Sequence, residues 1–286
     1  MNFSLTAGGR RIDLSTPLCM GVINTTPDSF SDGAELACSA EKGFVVDIDK
    51  ALRRAELFVE QGASIIDIGG ESTRPGAIRV SSEEEINRVV PLVEAVKRRL
   101  DVCISVDTSS AKVIKEAINA GAEIINDIRA LSSPEALGLV AESQAAVCVM
   151  HMQGQPHTMQ HNFQYSDVVQ DVYSFLQSKV AVCKCAGIRS DRLIVDVGFG
   201  FGKSLQNNYQ LLKELAYFRS LNLPILVGIS RKSMIGEVVK RPTQKRVPGS
   251  IAATVLALEN GANIVRTHDV AATVDAIRVH SAYSQG

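Results

Sequence analysis

The stretch V-I-K-E-A-I-N-A-G-A-E-I-I-N-D at residues 113–127 carries the reading of the fold. Val113, Ile114, Ala117 and Ile118 recur at helical spacing, Gly121 stands where a helix must turn back, and an apolar run follows. That run is short and continuous, as a strand buried on both faces would be. The phrase returns with Glu60, Gly62 and Ala63 ahead of Ile65, and with Glu259, Gly261 and Ala262 ahead of Ile264. One helix-to-strand unit is echoed along the chain.

Working outward, runs of this kind occupy 17–23, 64–68, 102–106, 123–128, 146–150, 192–197, 224–229 and 263–266. Helical patterns separate them, among them Ile48, Ala51, Leu52, Ala55, Phe58 and Val59, and then Ile86, Val89, Val90, Val93 and Val96. Gly187, ahead of the sixth run, repeats the helix-ending device. Eight strands alternating with helices over roughly 250 residues predict an α/β protein, a (β/α)8 TIM barrel forming a single domain over 1–286. An open doubly wound sheet is the alternative, since periodicity does not decide closure. Residues 3–13, with Gly8-Gly9 at their centre, read as a short β-hairpin capping the lower end of the barrel.

Thirty Lys+Arg against 31 Asp+Glu leave a net charge of −1, which argues against a nucleic-acid partner because phosphate binding needs a basic bias. A hydrophobic share of 45% against 21% charged residues excludes disorder for most of the chain. No apolar run approaches the roughly 18 residues of a membrane span. The first residues show no basic-then-apolar leader, so no membrane partner and a cytoplasmic location are expected. The cysteines, at 19, 38, 103, 148, 183 and 185, form no C-x-x-C; no disulfide is assigned, and Cys183 and Cys185 read as exposed thiols on a helix.

A barrel of this kind concentrates function where its strands end, so the polar residues after each run matter most. They are Asn24, Gly69-Gly70-Glu71, Asp107-Thr108, Asn126-Asp127, His151-Met152, Asp196 with the loop 198–203, Ser230 to Ser233, and Arg266 to Asp269. Asp127, Asp269 and Thr108 read as helix caps. Asp107, Asn126 and Asp196 lie in or at the end of runs facing the barrel axis, where a carboxylate is costly unless a ligand or cation satisfies it. Three such groups on three strands predict a polar ligand pocket. The glycine-rich loop 198–203 has the wrong spacing for a dinucleotide fingerprint, and Lys203 lacks a Walker A context.

Eight segments, in order, carry a family resemblance. They are N-T-T-P-D-S-F-S-D-G (24–33), D-I-G-G-E-S-T-R-P-G (67–76), S-V-D-T (105–108), I-N-D-I (125–128), M-H-M-Q-G (150–154), D-V-G-F-G-F-G-K (196–203), G-I-S-R-K-S-M-I-G (228–236) and R-T-H-D (266–269). Together they resemble the dihydropteroate synthase family over essentially the whole chain. The resemblance implies a transferase of folate biosynthesis. The pterin-methyl group of 6-hydroxymethyl-7,8-dihydropterin diphosphate would pass to p-aminobenzoate, with diphosphate released and 7,8-dihydropteroate formed. It also implies Mg²⁺, sulfonamides as inhibitors, and a homodimer through the late helices.

Residue by residue, the resemblance places the pterin against Asp107, Asn126, Ile128, Met150, Asp196, Gly228 and Lys232. It places p-aminobenzoate against Thr73, Arg74, Pro75, Phe201, Lys232 and Ser233. Diphosphate falls to Asn24, Thr73, Arg74, Arg266 and His268, and Mg²⁺ to Asn24. Asp107, Lys232, Arg266 and His268 would be the catalytic groups. The chemistry fits independently: an ionised carboxylate such as Asp196 can accept both N–H donors of a 2-amino-4-oxo pterin edge, and Asn126 suits a mixed edge. Asp67 on the second strand reads as a supporting partner, while core packing is an equally good reading of Met150 and Ile128. The loops after the first two strands, rich in Gly, Pro, Ser and Asp, are expected to be mobile and to close over diphosphate and metal.

Three positions depart from the family pattern: Val197 where proline is usual, and Thr25 and Thr267 where valine is usual. Val197 restores a backbone N–H and is expected to loosen the turn beside Asp196. Two rival functions stand beside the main one. A pterin-dependent methyltransferase on the same barrel would share the Asp and Asn positions but would not need N-T-T-P-D-S-F, S-R-K-S or R-T-H-D; the other rival is a non-catalytic pterin-binding paralogue.

Overall fold

A run that is apolar at every position has to be covered on both faces, and in the computed structural model each such run is a strand of one closed parallel barrel. The structure describes residues 3–26, 37–38, 45–72, 80–154 and 164–286. The hairpin strands β1 (Ser4–Ala7) and β2 (Arg10–Asp13) pair antiparallel, and the first barrel strand is β3 (Leu18–Asn24). A minor pair, β4 (Ala37–Cys38) and β5 (Val45–Val46), precedes the rest of the barrel. The remaining strands are β6 (Ile65–Gly69), β7 (Cys103–Asp107), β8 (Ile124–Asp127), β9 (Ala146–Met150), β10 (Leu193–Asp196), β11 (Ile225–Val227) and β12 (Ile264–Thr267). β12 pairs with β3, which closes the ring and rules out the open sheet.

Alternation along the strands sorts the side chains. Met20, Ile65, Cys103, Ile124, Ala146, Cys148, Ile194, Leu226 and Ile264 point inward and form one core with Leu5, Ala7 and Leu14 of the hairpin segment. The hairpin thus plugs the lower end as expected, and Gly8 N donates to Gln144 O at 2.9 Å. Neighbouring positions such as Cys19, Ile66, Ile104, Ile125, Val147, Val195 and Val265 point outward into a second core against the helices. Counting upward by two from the lower layer reaches Asp67, Asp107, Asn126, Met150, Asp196, Gly228 and Arg266. The residues singled out for chemistry therefore share the inner face of the barrel's upper half.

The helices are α1 (Ile48–Glu60), α2 (Ser82–Arg99), α3 (Ala111–Ala120), α4 (Pro134–Glu142), α5 (Val168–Cys185), α6 (Leu205–Lys213), α7 (Ser233–Val239), α8 (Val247–Glu259) and α9 (Val270–Gln285). Among the described residues no helix is long and apolar enough to cross a membrane. One expectation fails: Cys183 is buried, not exposed, because it continues the inward stripe Val169, Val172, Leu176, Val180 of α5, while Cys185 is exposed.

Helix-ending Gly62, Gly121, Gly187 and Gly261 all have positive φ, between +94° and +111°. At Gly187 a Cβ would meet nothing within 4 Å, so replacing it tests backbone strain alone. Gly187→Ala is expected to lower the unfolding free energy by about 1–2 kcal/mol, the cost of a side chain in the left-handed region. A urea titration checks it, and a change under a few tenths of a kcal/mol would refute the assignment of strain to this turn.

Candidate active site

Arg266 rises from β12 and spans the barrel mouth. Its Nε donates to Asp67 Oδ2 at 2.6 Å and its Nη2 to Asp107 Oδ2 at 2.7 Å. Asn126 Nδ2 reaches the same Asp67 oxygen at 3.4 Å, so one network ties β6, β7, β8 and β12. Asp67 is wholly buried, and the supporting role expected of it becomes specific, since its carboxylate anchors the guanidinium. Burial pushes the Asp107 carboxyl up to about 7 against the pull of Arg266, with Asp67, Glu85 and Asp127 adding repulsion. Burial opposes the charge on Arg266 too, but Asp67 and Asp107 outweigh it and hold the guanidinium above its ordinary value.

Asp196 ends β10, and its Oδ1 accepts from Gly198 N at 2.7 Å. Burial raises its pKa while Lys232, that backbone donor, Lys203 and Arg266 oppose the rise. Lys232 comes from the loop after β11; its Nζ donates to Phe199 O and sits 4.6 Å from the centroid of the Phe201 ring. Burial pulls this ammonium down to about 8, with Asp196 pulling the other way. Gly228 forms the floor between the cations, since a Cβ there would lie 3.8 Å from Lys232 Nζ and 3.9 Å from Arg266 Cβ. Asp196 and Arg266 therefore open onto one mouth.

Asn24 ends β3 on the same side. A Cβ on Gly69 would lie 3.7 Å from Asn24 Oδ1 and 3.5 Å from Asp107 Cβ, so the two side chains flank that glycine. His268 Nδ1 lies 3.1 Å from Ser230 Oγ, which holds the ring at the end of β12. Ile128 and Met150 are buried, Met150 at the end of β9 and Ile128 just after β8. Ser233 is exposed at the first position of α7. Thr73, Arg74 and Pro75, and most of the loops expected to move, lie outside the described residues.

None of the three residues read as helix caps fills that role with its side chain. Asp127 ties the turn that follows β8, accepting from Arg129 N at 2.7 Å and Leu131 N at 2.8 Å, while the N-cap of α4 is Ser133; Thr108 Oγ1 accepts at 3.2 Å from the N–H of Ser110, which is itself the N-cap of α3. Asp269 stands at the N-cap of α9, but its side chain accepts instead from Arg231 Nε at 2.9 Å, a charge-assisted fork that outcompetes a neutral N–H. Sequence reasoning also passed over Lys203, a lysine that is 3% exposed. Its position directly after a run of three alternating glycines was the available signal. A cleft of about 390 Å³ at the opposite end, lined by Phe3, Arg219, Glu259, Asn263 and His280 among others, lies away from this network.

A sequence model of the pterin binding enzyme family matches residues 20–268. The dihydropteroate synthase of Haemophilus influenzae is 52% identical over 278 residues, covering 97% of this chain and 98% of that protein. The chain belongs to the dihydropteroate synthase family. A crystal structure of the Yersinia pestis dihydropteroate synthase with a sulfonamide drug complex superposes with a TM-score of 0.92 at 49% identity, over 99% of this chain and 100% of that one. The Burkholderia cenocepacia dihydropteroate synthase complexed with 7,8-dihydropteroate gives a TM-score of 0.88 at 43% identity, over 100% and 98% of the two chains.

The departures from the dihydropteroate synthase pattern find local partners. Thr25 Oγ1 donates to Gly69 O at 3.0 Å, and Thr267 Oγ1 accepts from Asp269 N at 3.0 Å, so each hydroxyl ties a strand end to a neighbouring loop. Val197 is wholly buried in the outer core. The turn beside Asp196 carries a tie of its own, Gly198 N to Asp196 Oδ1.

Proposed function

We propose that the chain transfers the 7,8-dihydropterin-6-methyl group from its diphosphate ester to p-aminobenzoate, forming 7,8-dihydropteroate and diphosphate. The observation that carries this reading is the single mouth in which Asp107, Asn126 and Asp196 face Arg266 and Lys232. The pterin binds with its N–H edge on Asp196 and its mixed edge on Asn126, between walls from Ile128 and Met150 and above Gly228. p-Aminobenzoate lies against Phe201, Thr73, Arg74, Pro75 and Ser233 beside the Lys232 stem. Sulfonamides compete there, in keeping with the sulfonamide complex of the Yersinia pestis relative.

An arylamine is a weak nucleophile, so the C–O bond to diphosphate breaks early and leaves a cation spread over the dihydropterin. Asp107 and Asp196 stabilise that cation electrostatically. The leaving anion meets Arg266, His268, Asn24, Thr73 and Arg74. Arg266 has five N–H donors and spends one each on Asp67 and Asp107, so donors remain for phosphate oxygens. A Mg²⁺ ion suits this end, where the hard amide oxygen of Asn24 stands beside Asp107. Asn24 would hold it, and when bound it supplies charge neutralisation on the diphosphate. Exposed Val238 on α7, and Val255 and Leu256 on α8, support a homodimer through these late helices, and we place the protein in the cytoplasm.

Mixing both substrates with Mg²⁺ tests the reading. Stoichiometric diphosphate and 7,8-dihydropteroate are expected, and a chelator is expected to lower the rate by roughly tenfold or more, with recovery on adding Mg²⁺. Methyl transfer from methyltetrahydrofolate to a corrinoid would replace the reading with the methyltransferase. Pterin binding without turnover would replace it with the non-catalytic protein.

A further inference from the structure

Lys203 Nζ lies 2.8 Å from Gly198 O, 3.0 Å from Phe201 O, 3.0 Å from His151 Nδ1 and 3.3 Å from His151 O. Burial holds the His151 ring down to about 3, so the imidazole is neutral and presents Nδ1 as an acceptor, with its proton on Nε2. All four partners are then acceptors. Burial pulls the Lys203 ammonium down to about 7, with Asp196 pulling the other way, yet four acceptors around one nitrogen call for the charged form: an ammonium has three N–H groups and no lone pair, whereas a neutral amine would turn a lone pair toward an oxygen. The lysine thus sits in a socket of the kind that holds a small cation.

What the cation holds is the loop Gly198 to Gly202. Its three glycines have φ of +71°, +81° and +63°. A Cβ on Gly198 would collide with the His151 carbonyl, and one on Gly202 with the Gln153 carbonyl, so the loop is pressed onto the chain after β9. Alternate groups of the loop face opposite ways: the Gly198 and Phe201 carbonyls turn in to Lys203, while the Phe199 carbonyl and the Phe201 ring turn out to Lys232. Two further ties hold the loop, Gly200 N to Asn208 Oδ1 and Tyr165 Oη to Gly202 O, each at 2.7 Å. The loop is wound between two lysines, one buried and one at the mouth.

We propose that Lys203 is a positioning residue, an internal cation that fixes the Gly198–Gly202 loop in the one shape that presents Phe199 O and the Phe201 ring to Lys232. The inference rests on the functional reading above, in which Phe201 and Lys232 border the p-aminobenzoate site. Lys203 itself touches no substrate. The Asp196 backbone is held in β10 and only one of its carboxylate oxygens leans on the loop, through Gly198 N, so the larger defect falls on p-aminobenzoate and a smaller one on the pterin.

Steady-state kinetics of Lys203→Met and Lys203→Ala test the inference. The KM for p-aminobenzoate is expected to rise by about tenfold or more, while the KM for the pterin diphosphate stays within about threefold. In Lys203→Ala, methylammonium or ethylammonium is expected to bring the p-aminobenzoate KM back toward the wild-type value, and tetramethylammonium at equal ionic strength is not. An unmoved p-aminobenzoate KM, equal rises in both KM values, or the absence of amine rescue overturns the proposal. Should the Lys203 variants not fold, Tyr165→Phe decides. It removes one hydroxyl bond to the same loop and is expected to raise the p-aminobenzoate KM by about threefold alone, and no change overturns the proposal. Wild-type protein that forms no dihydropteroate would sink the functional reading instead.

Discussion

Arg266→Met is expected to lower the unfolding free energy at pH 8 by about 3–5 kcal/mol, the cost of leaving buried carboxylates without their cation. Arg266 is the shared partner of Asp67 and Asp107, and among the described residues the other Asp67 oxygen, Oδ1, has no hydrogen-bond partner. A methionine fills the volume but leaves two acids facing each other. The deficit should depend on pH with a definite sign. Asp107 has a folded-state pKa near 7, above its unfolded value, so the folded protein takes up a proton there as pH falls. Stability tied to Asp107 is therefore greatest when the acid is neutral and is lost as pH rises toward 7. Removing Arg266 strengthens the repulsion between the charged forms, so the deficit is largest at pH 8 and shrinks toward pH 5. Urea titrations at the two pH values check it; deficits that are equal, or below about 1 kcal/mol at pH 8, would show that the network adds little to folding.

The same network shows why so much was legible in the residues alone. A strand buried on both faces hides its inward side, because every position is apolar, and only a polar residue inside the run reveals the phase. Asp67, Asn126, Asp196 and Arg266 are such residues, and alternation then fixes which others share the axis. The helix-ending glycines marked the repeat for a steric reason, since each takes a positive φ. What was hidden depends on contacts between distant segments. Asp269 pairs with Arg231, 38 residues away, and nothing local distinguishes that from a cap. Lys203 meets His151 across 52 residues, and a lysine after a loop reads as solvated until its cage is seen. Closure of the barrel is of this type too, since it rests on β12 finding β3.

Asp107→Asn should separate catalysis from binding more sharply than any other change at the mouth. The amide keeps the shape and can still face Arg266, so the pterin, held chiefly by Asp196 and Asn126, should bind within a fewfold of wild type. What is lost is a fixed negative charge next to a heterocycle that becomes positive as diphosphate leaves. Interactions of that class are worth about 10²–10³ in rate, so the single-turnover rate constant for C–O cleavage is expected to fall by about that factor. The pH profile gives an independent check. Since burial raises Asp107 to about 7, the wild-type rate should climb as pH rises through that value and the carboxylate ionises, then level off. The asparagine variant should lack that limb. Scrambling of isotope between bridging and non-bridging oxygens of the diphosphate ester, without p-aminobenzoate, is expected in wild type and should weaken in the variant by the same factor. Equal losses in binding and cleavage would mean that Asp107 serves as a ligand for the pterin and not as the counter-charge to its cation.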